Sequence, residues 1–298
     1  MTAQTGDTRE NLLTRLRSWR RHALHIGLSP RRSPAWNGLL PREMQGAMTT
    51  YAAVFDTALI HVGPRGGPDA VSVTRLQRQT GDEFRWTIVV ENEHMMYRFP
   101  HGYHEWKKRG ALNPRFLDPE GITASIVPLL RQLGPSAGTV LLNVAPVYRT
   151  EMIHFEGFLD ALVRCLDALP ATHRYAVQTG NPGFVLPGYL DSLRGRNVIH
   201  AFSGTLPCDP AGALTADVAI LRSAVLAAEE EGEEWDGFRA VVRRCLEEGR
   251  RLYAYLGDGA ERVPPSIARG QGEERLARLL AGLDGELARR SPIRRQAA

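Results

Sequence analysis

The side chains in this 298-residue chain best suited to chemistry stand at the ends of short apolar runs: Ser29, His61, Glu91, Asn143, Gln178, His200, Arg222 and Asp258. Histidine is the side chain whose ordinary titration lies nearest neutral pH. His61 and His200 are therefore candidate general bases or metal ligands, and with Glu91 and Asp258 they form the expected catalytic set. A hydrogen-bonded structural role is the competing reading for any strand histidine. Glu91 with His61 and His94 has the residue types of a histidine and carboxylate metal site. No His-Glu-x-x-His or comparable spacing occurs, so no metal is expected. Arg222 and Arg262 carry guanidinium groups suited to paired hydrogen bonds with a carboxylate or phosphate. The alternative for Arg222 is an internal ion pair with Glu91 or Asp258. With Ser29, Asn143 and Gln178, the two arginines make up the expected ligand-binding set.

Other chemistries lack their signatures. There is no Gly-x-Ser-x-Gly elbow, and Cys208 has no basic neighbour in sequence to favour its thiolate. The run Gly63-Pro64-Arg65-Gly66-Gly67 follows an apolar segment but lacks the Lys-Ser/Thr ending of a phosphate loop, and reads as a turn. No cofactor is expected.

Those residues need elements to hold them. After an amphipathic lead-in helix over Thr8 to Arg21, β-type apolar runs alternate with helical ones. Strands are predicted at Ala23 to Leu28, Thr57 to Val62, Phe84 to Glu91, Thr139 to Val144, Arg174 to Gln178, Val198 to Phe202, Asp217 to Leu221 and Arg251 to Leu256. Helices are predicted at Arg42 to Phe55, Asp69 to Gln79, Pro119 to Leu133, Glu151 to Leu169, Pro187 to Leu193, Glu234 to Glu248 and Ser266 to Arg289. Only the link Ser203 to Ala216 reads as too short and too rich in Gly and Pro for a helix. Eight strands with helical returns favour parallel pairing and an α/β fold, a single (β/α)8 TIM-type barrel, with an open doubly wound sheet as the runner-up. The expected division is a helix at 1–22, a barrel domain at 23–290 and a basic tail at 291–298. The catalytic and binding candidates would then meet at the carboxyl ends of the strands.

The segment Glu93 to Leu117 is the least regular, and Tyr97, Tyr103 and Trp106 within it could wall or cover a pocket. The acidic run Glu229 to Asp236 suits a helix start.

Composition sets the class. Hydrophobic residues make up 43% and charged residues 23%, and no run approaches a membrane span. The first 21 residues lack the apolar core of a secretory signal, and Cys165, Cys208 and Cys245 are scattered without Cys-x-x-Cys spacing. A cytoplasmic protein without disulfides or structural zinc is expected. The net charge is +4, with Lys107 and Lys108 the only lysines. Basic residues gather at the two ends, from Arg15 to Arg32 and from Arg289 to Arg295, without aromatics at stacking intervals, so nucleic acid is not the expected partner. Nor is a membrane. The expected partner is a small polar or anionic molecule.

Several stretches carry a resemblance. They are His25-Ile26-Gly27-Leu28-Ser29 with Trp36 and Pro41; Tyr51-Ala52-Ala53-Val54-Phe55-Asp56-Thr57; Leu133-Gly134-Pro135; and Val140-Leu141-Leu142-Asn143-Val144-Ala145-Pro146. Further on come Arg174-Tyr175-Ala176-Val177-Gln178 with Asn181-Pro182 and Phe184, and Leu252-Tyr253-Ala254-Tyr255-Leu256 with Ala260 and Pro264-Pro265. In this order they resemble the YecE-like family, the domain of unknown function seventy-two, whose members fold as TIM-type barrels. The match spans roughly Ala23 to Leu283. The departures fall where that family is polar: Leu59 and His61 stand in place of its Glu and Asn, Val90 and Glu91 around its Lys, and Gln178 and Gly180 in place of its Glu and Arg. Its Arg-Leu-His-Gly pattern survives only as Arg222, before Ser223, Ala224 and Val225, and its paired Asn appears as Gly257-Asp258. The resemblance implies the fold. For activity, the expectation is acid and base chemistry on a small polar or anionic metabolite, hydrolysis included, with a non-catalytic binding or regulatory protein as the alternative.

Overall fold

The computed structural model describes residues 14–28, 48–64, 66–147, 154–203, 210–223, 232–257 and 271–287. Ser29, Asp258, Arg262 and Cys208 lie outside them, as do Arg31, Arg32 and the basic residues from Arg289 onward.

Eight strands alternate with helices: β1 Leu24–Leu28, β2 Thr57–Val62, β3 Arg85–Val90, β4 Ala137–Val144, β5 Arg174–Thr179, β6 Ile199–Ser203, β7 Val218–Ser223 and β8 Arg251–Leu256. Their order in the sheet is β1-β8-β7-β6-β5-β4-β3-β2. The β1/β8, β7/β8, β3/β4, β4/β5 and β5/β6 ladders are all parallel. Helical returns between strands in this order make the topology of a (β/α)8 TIM-type barrel, the expected fold class. The helices are α1 over 14–21, α2 Met48–Ala52, α3 Ala70–Thr80, α4 Pro119–Leu133, α5 Phe155–Ala168, α6 Pro187–Arg194, α7 Pro210–Ala213, α8 Glu233–Glu248 and α9 Gln271–Leu287. One expectation is corrected here. The link between β6 and β7 does hold a helix, the single turn α7, opened by Pro210, whose fixed φ suits a first helical position.

Contacts divide the chain into two compact units. The first comprises Met1–Ala58, Gln79–Phe84 and Phe202–Ala298; the second comprises Leu59–Arg78 and Arg85–Ala201.

In the first unit, α1 buries Leu16 and Trp19 and is held to α9 by Arg15, whose Nε lies 3.1 Å from Asp284. Asp56 ties α1 to β1: its Oδ2 lies 3.2 Å from Arg20 Nε and 2.7 Å from His25 Nδ1. Gly27 sits where a Cβ would come within 2.7 Å of the Thr57 carbonyl oxygen, so the backbones of β1 and β2 approach at a position only glycine fills. Beside it the buried Tyr51 hydroxyl accepts from Leu28 N–H and donates to the Thr57 carbonyl, both at 2.9 Å. α8 begins within the acidic run, with Glu233, Glu234 and Asp236 in its first turn, where carboxylates suit the helix dipole. It buries Trp235, Phe238, Val242 and Cys245 at helical spacing and stops at Gly249 in the left-handed conformation.

In the second unit, α4 starts at Asp118, whose side chain accepts from Glu120 N–H, with Pro119 at the first helical position. Its stripe of Ile122, Ile126, Leu130 and Leu133 is buried. Gln77 and Gln132 join α3 to α4, the first donating to the Leu133 carbonyl and the second to Thr74 Oγ1, both at 3.0 Å. Strands β3 to β5 bury nearly every apolar side chain on both faces, as parallel strands between a lumen and a helical layer must.

Candidate functional site

Strand alternation builds a polar row at the carboxyl ends of β2 to β5, all within the second unit. In β2 the flanking Ile60 and Val62 are buried while His61 is exposed. Its Nδ1 lies 2.8 Å from Glu91 Oε1. The Glu91 N–H donates to the Val62 carbonyl at 3.0 Å, so the backbone just past β3 is fixed against β2. Val90 is the register partner of Leu142, and Asn143 the partner of Gln178. Glu91, Asn143 and Gln178 thus occupy one level on consecutive strands. Register partners in parallel strands point to the same face, and Asn143 and Gln178 are half-buried where their neighbours Leu142 and Val177 are fully buried.

The chain beyond each strand is held firmly. Asn92 caps the short helical turn Glu93–Met95, accepting from His94 N–H at 3.1 Å and donating to Ser125 Oγ at 3.2 Å. Ala145 N–H donates to the Met95 carbonyl, tying the segment after β4 to the one after β3. Asn181 clamps Val147 from both sides, donating to its carbonyl at 2.6 Å and accepting from its N–H at 2.7 Å. A Cβ on Gly180 would meet Pro146 N at 2.6 Å, so this backbone admits no Arg there without moving Pro146. Sequence reading missed Asn92, Asn113 and Asn181 as loop fasteners. Their signal was present, since asparagine beside strand ends and before proline favours local side-chain to backbone bonds.

Chemically, the His61 and Glu91 contact is informative. A carboxylate only accepts, so the shared hydrogen belongs to Nδ1, and in the neutral form of the ring the Nε2 lone pair is left for other work. The two side chains are 40% and 36% exposed, so the pair orients the ring and adds only about 0 to 1 kcal/mol of stability. Nε2 has no hydrogen-bond partner among the described residues.

Other expected residues are placed differently. His200 is the register partner of Val177, and so lies on the opposite face from Gln178. It is 6% exposed, packs edge-on to Tyr189 of α6, and has Nδ1 3.2 Å from the tyrosine hydroxyl. Burial pushes its pKa down to about 4, so it is a neutral packing residue in this arrangement. The structure does not bring it to the row with His61; alternation along β6 turns it to the helical layer. His94 is also taken up elsewhere: buried, with Nδ1 3.1 Å from the Arg115 carbonyl, it sits over Gly121 at the start of α4. Among the described residues no group of three or more His, Cys, Asp or Glu is arranged to hold a metal. Arg222 is half-buried in β7 of the first unit, where it is the register partner of Tyr255, and Tyr255 shares a 2.8 Å hydrogen bond with Thr57 Oγ1. Of the proposed wall, Tyr103 is buried against Phe99 and Tyr97 packs edge-on to Phe116, whereas Trp106 is 70% exposed.

Three solved structures of similar architecture are DUF72 family proteins. A DUF72 family protein from Thermotoga maritima is 16% identical, with a TM-score of 0.59, over 88% of this chain and 99% of that one. A DUF72 family protein from Enterococcus faecalis is 11% identical, with a TM-score of 0.53, over 92% and 100%. A second structure of an Enterococcus faecalis DUF72 protein gives 12% identity and 0.50, over 87% and 97%. The chain has the fold of the DUF72 proteins. No family model matches the sequence, and no curated protein matches it. The TIM-type barrel anticipated from strand and helix alternation is therefore shared with solved structures along nearly the whole of their length.

Proposed function

We propose that this protein is an enzyme of a small polar metabolite, working by acid and base chemistry at the row His61, Glu91, Asn143 and Gln178. The single observation carrying this reading is the 2.8 Å contact of His61 Nδ1 with Glu91, which leaves Nε2 as a base on the same side as two carboxamides. The reaction that suits such a set is proton abstraction next to a carbonyl. Nε2 takes the proton, the bonding pair moves toward the carbonyl oxygen, and an amide N–H of Asn143 or Gln178 donates to the oxygen as it becomes negative. Glu91 stabilises the imidazolium that results, and the proton returns from Nε2 to carbon or oxygen of the product. A cytoplasmic setting accords with Cys165 and Cys245, which are free and buried.

A non-catalytic binding protein is the second reading, favoured by Gln178 and Gly180 standing where the resembled family carries Glu and Arg, since a carboxamide cannot exchange a proton. One experiment separates the two. Small α-hydroxy aldehydes and ketones, with and without a phosphate or carboxylate group, are incubated with the protein in deuterium oxide. Exchange at the α carbon is followed by NMR alongside the His61 ring signals. The enzyme reading expects exchange that falls about 10²- to 10⁴-fold in His61→Ala. Ligand-induced shifts of the His61 signals without exchange support the binding protein, and exchange unchanged in His61→Ala contradicts the enzyme reading.

A further inference from the structure

The loop between β3 and α4 is fastened by its own hydrogen bonds, and one residue on it is not accounted for by packing. Its two limbs pair as a short antiparallel ribbon: Phe99 N–H donates to the Ala111 carbonyl, Gly110 N–H donates to the Phe99 carbonyl, and Arg98 bridges Leu112. Asn113 fastens the base, with its Nδ2 2.7 Å from the Glu93 carbonyl and 2.9 Å from that of Met96. Phe99 and Tyr103 are buried beneath. At the tip, Trp106–Lys108 form a single helical turn, held by Lys108 Nζ at 2.9 Å from Glu105 and 3.3 Å from Glu93. On this fastened turn the Trp106 ring is 70% exposed, the most solvent-open aromatic side chain among the described residues. Lys107 Nζ rests 5.7 Å from the ring centroid. Arg109 donates through Nε to the Tyr103 carbonyl, leaving its two terminal nitrogens without a partner among the described residues.

We propose that this turn is a docking surface for single-stranded nucleic acid, with a base stacked on Trp106 and phosphates met by Lys107 and Arg109. The turn that carries the indole is already fastened, so stacking a base costs the freedom of the side chain and not that of the loop. Four cations, Arg98, Lys107, Lys108 and Arg109, outnumber the two carboxylates Glu93 and Glu105 that face Lys108, which gives the surface the sign that a phosphate backbone requires. A base sliding over the indole displaces the Lys107 ammonium from the ring, and the nearest new partner for that ammonium is the adjacent phosphate. A lipid surface is a poorer match: the tip also exposes His101, Gly102, His104 and Glu105, too polar a rim to enter an acyl layer. This surface is independent of the reaction proposed for His61.

The test titrates a fluorescein-labelled oligothymidylate with the full-length protein over a range of salt concentrations. Trp106 quenching is read as the difference between wild type and Trp106→Phe, because Trp19, Trp86 and Trp235 are buried. Trp106→Ala should weaken binding about 5- to 150-fold, the range expected for loss of one stacked base. Lys107→Gln should lower the slope of log K against log salt by about 0.7, one phosphate contact. Both side chains are exposed, so unchanged melting temperatures will show that folding is intact. No binding by the wild type would overturn the proposal. So would full affinity in Trp106→Ala, which would assign binding to the arginine-rich ends, or Trp106-dependent binding to phosphatidylserine vesicles with none to the oligonucleotide.

Discussion

A carboxylate on Nδ1 gives His61 a defined orientation, while burial against Tyr189 holds His200 in its neutral form. Both histidines lie in apolar strand runs, and their residue types are identical, so sequence alone treated them alike. Face separated them. His61 meets Glu91, which stands level with Asn143 and Gln178, and His200 shares its face with Val177. The consequence for His200 is measurable. Its pKa, about 4 in the folded protein, lies below the ordinary 6.5, so the unfolded chain takes up the proton first as pH falls. Stability should therefore be complete above pH 6.5, decline as pH drops toward 4, and level off for this group below that. The total loss is on the order of 3 kcal/mol, since the folded value lies far below the ordinary one. Chemical denaturation at pH 7 and pH 4.5 should show a smaller acid loss in His200→Leu than in the wild type. An equal loss would mean that His200 is not the buried neutral group described.

At the scale of elements, strand and helix alternation was readable because each element obeys its own period. The eight strands begin and end within two residues of their expected bounds, and α4 matches Pro119 to Leu133 because Asp118, Pro119 and Gly134 mark both ends. α7 escaped because one turn has too few residues to show a period. The seam between β1 and β2 was also illegible: the motif around Tyr51 was visible, but its hydroxyl bridges residues on two different strands. That hydroxyl serves Leu28 N–H and the Thr57 carbonyl at once, and both are buried. Tyr51→Phe keeps the ring and strands both groups, so urea unfolding should show a loss of about 1 to 3 kcal/mol. A loss near zero would show that the two backbone groups find other partners.

At the scale of the whole molecule, fold and activity part company. The barrel topology rests on spacing that survives heavy substitution, which is why chains 11% to 16% identical still share it. The site rests on a few side chains at strand ends, and there this chain differs from the family it resembles. Gly180 shows the physical side of one difference, since the backbone around Pro146 closes the space an arginine would use. Everything proposed for the reaction depends on His61 Nε2 being an unprotonated nitrogen held ready by Glu91. The direct measurement is the two-bond ¹H–¹⁵N correlation spectrum of the ¹⁵N-histidine-labelled protein at neutral pH, with the His61 signals assigned by their loss in His61→Ala. The account predicts a hydrogen on Nδ1 and a bare Nε2, with that preference reduced in Glu91→Ala. A hydrogen on Nε2 in the wild type, unaffected by Glu91→Ala, would contradict it.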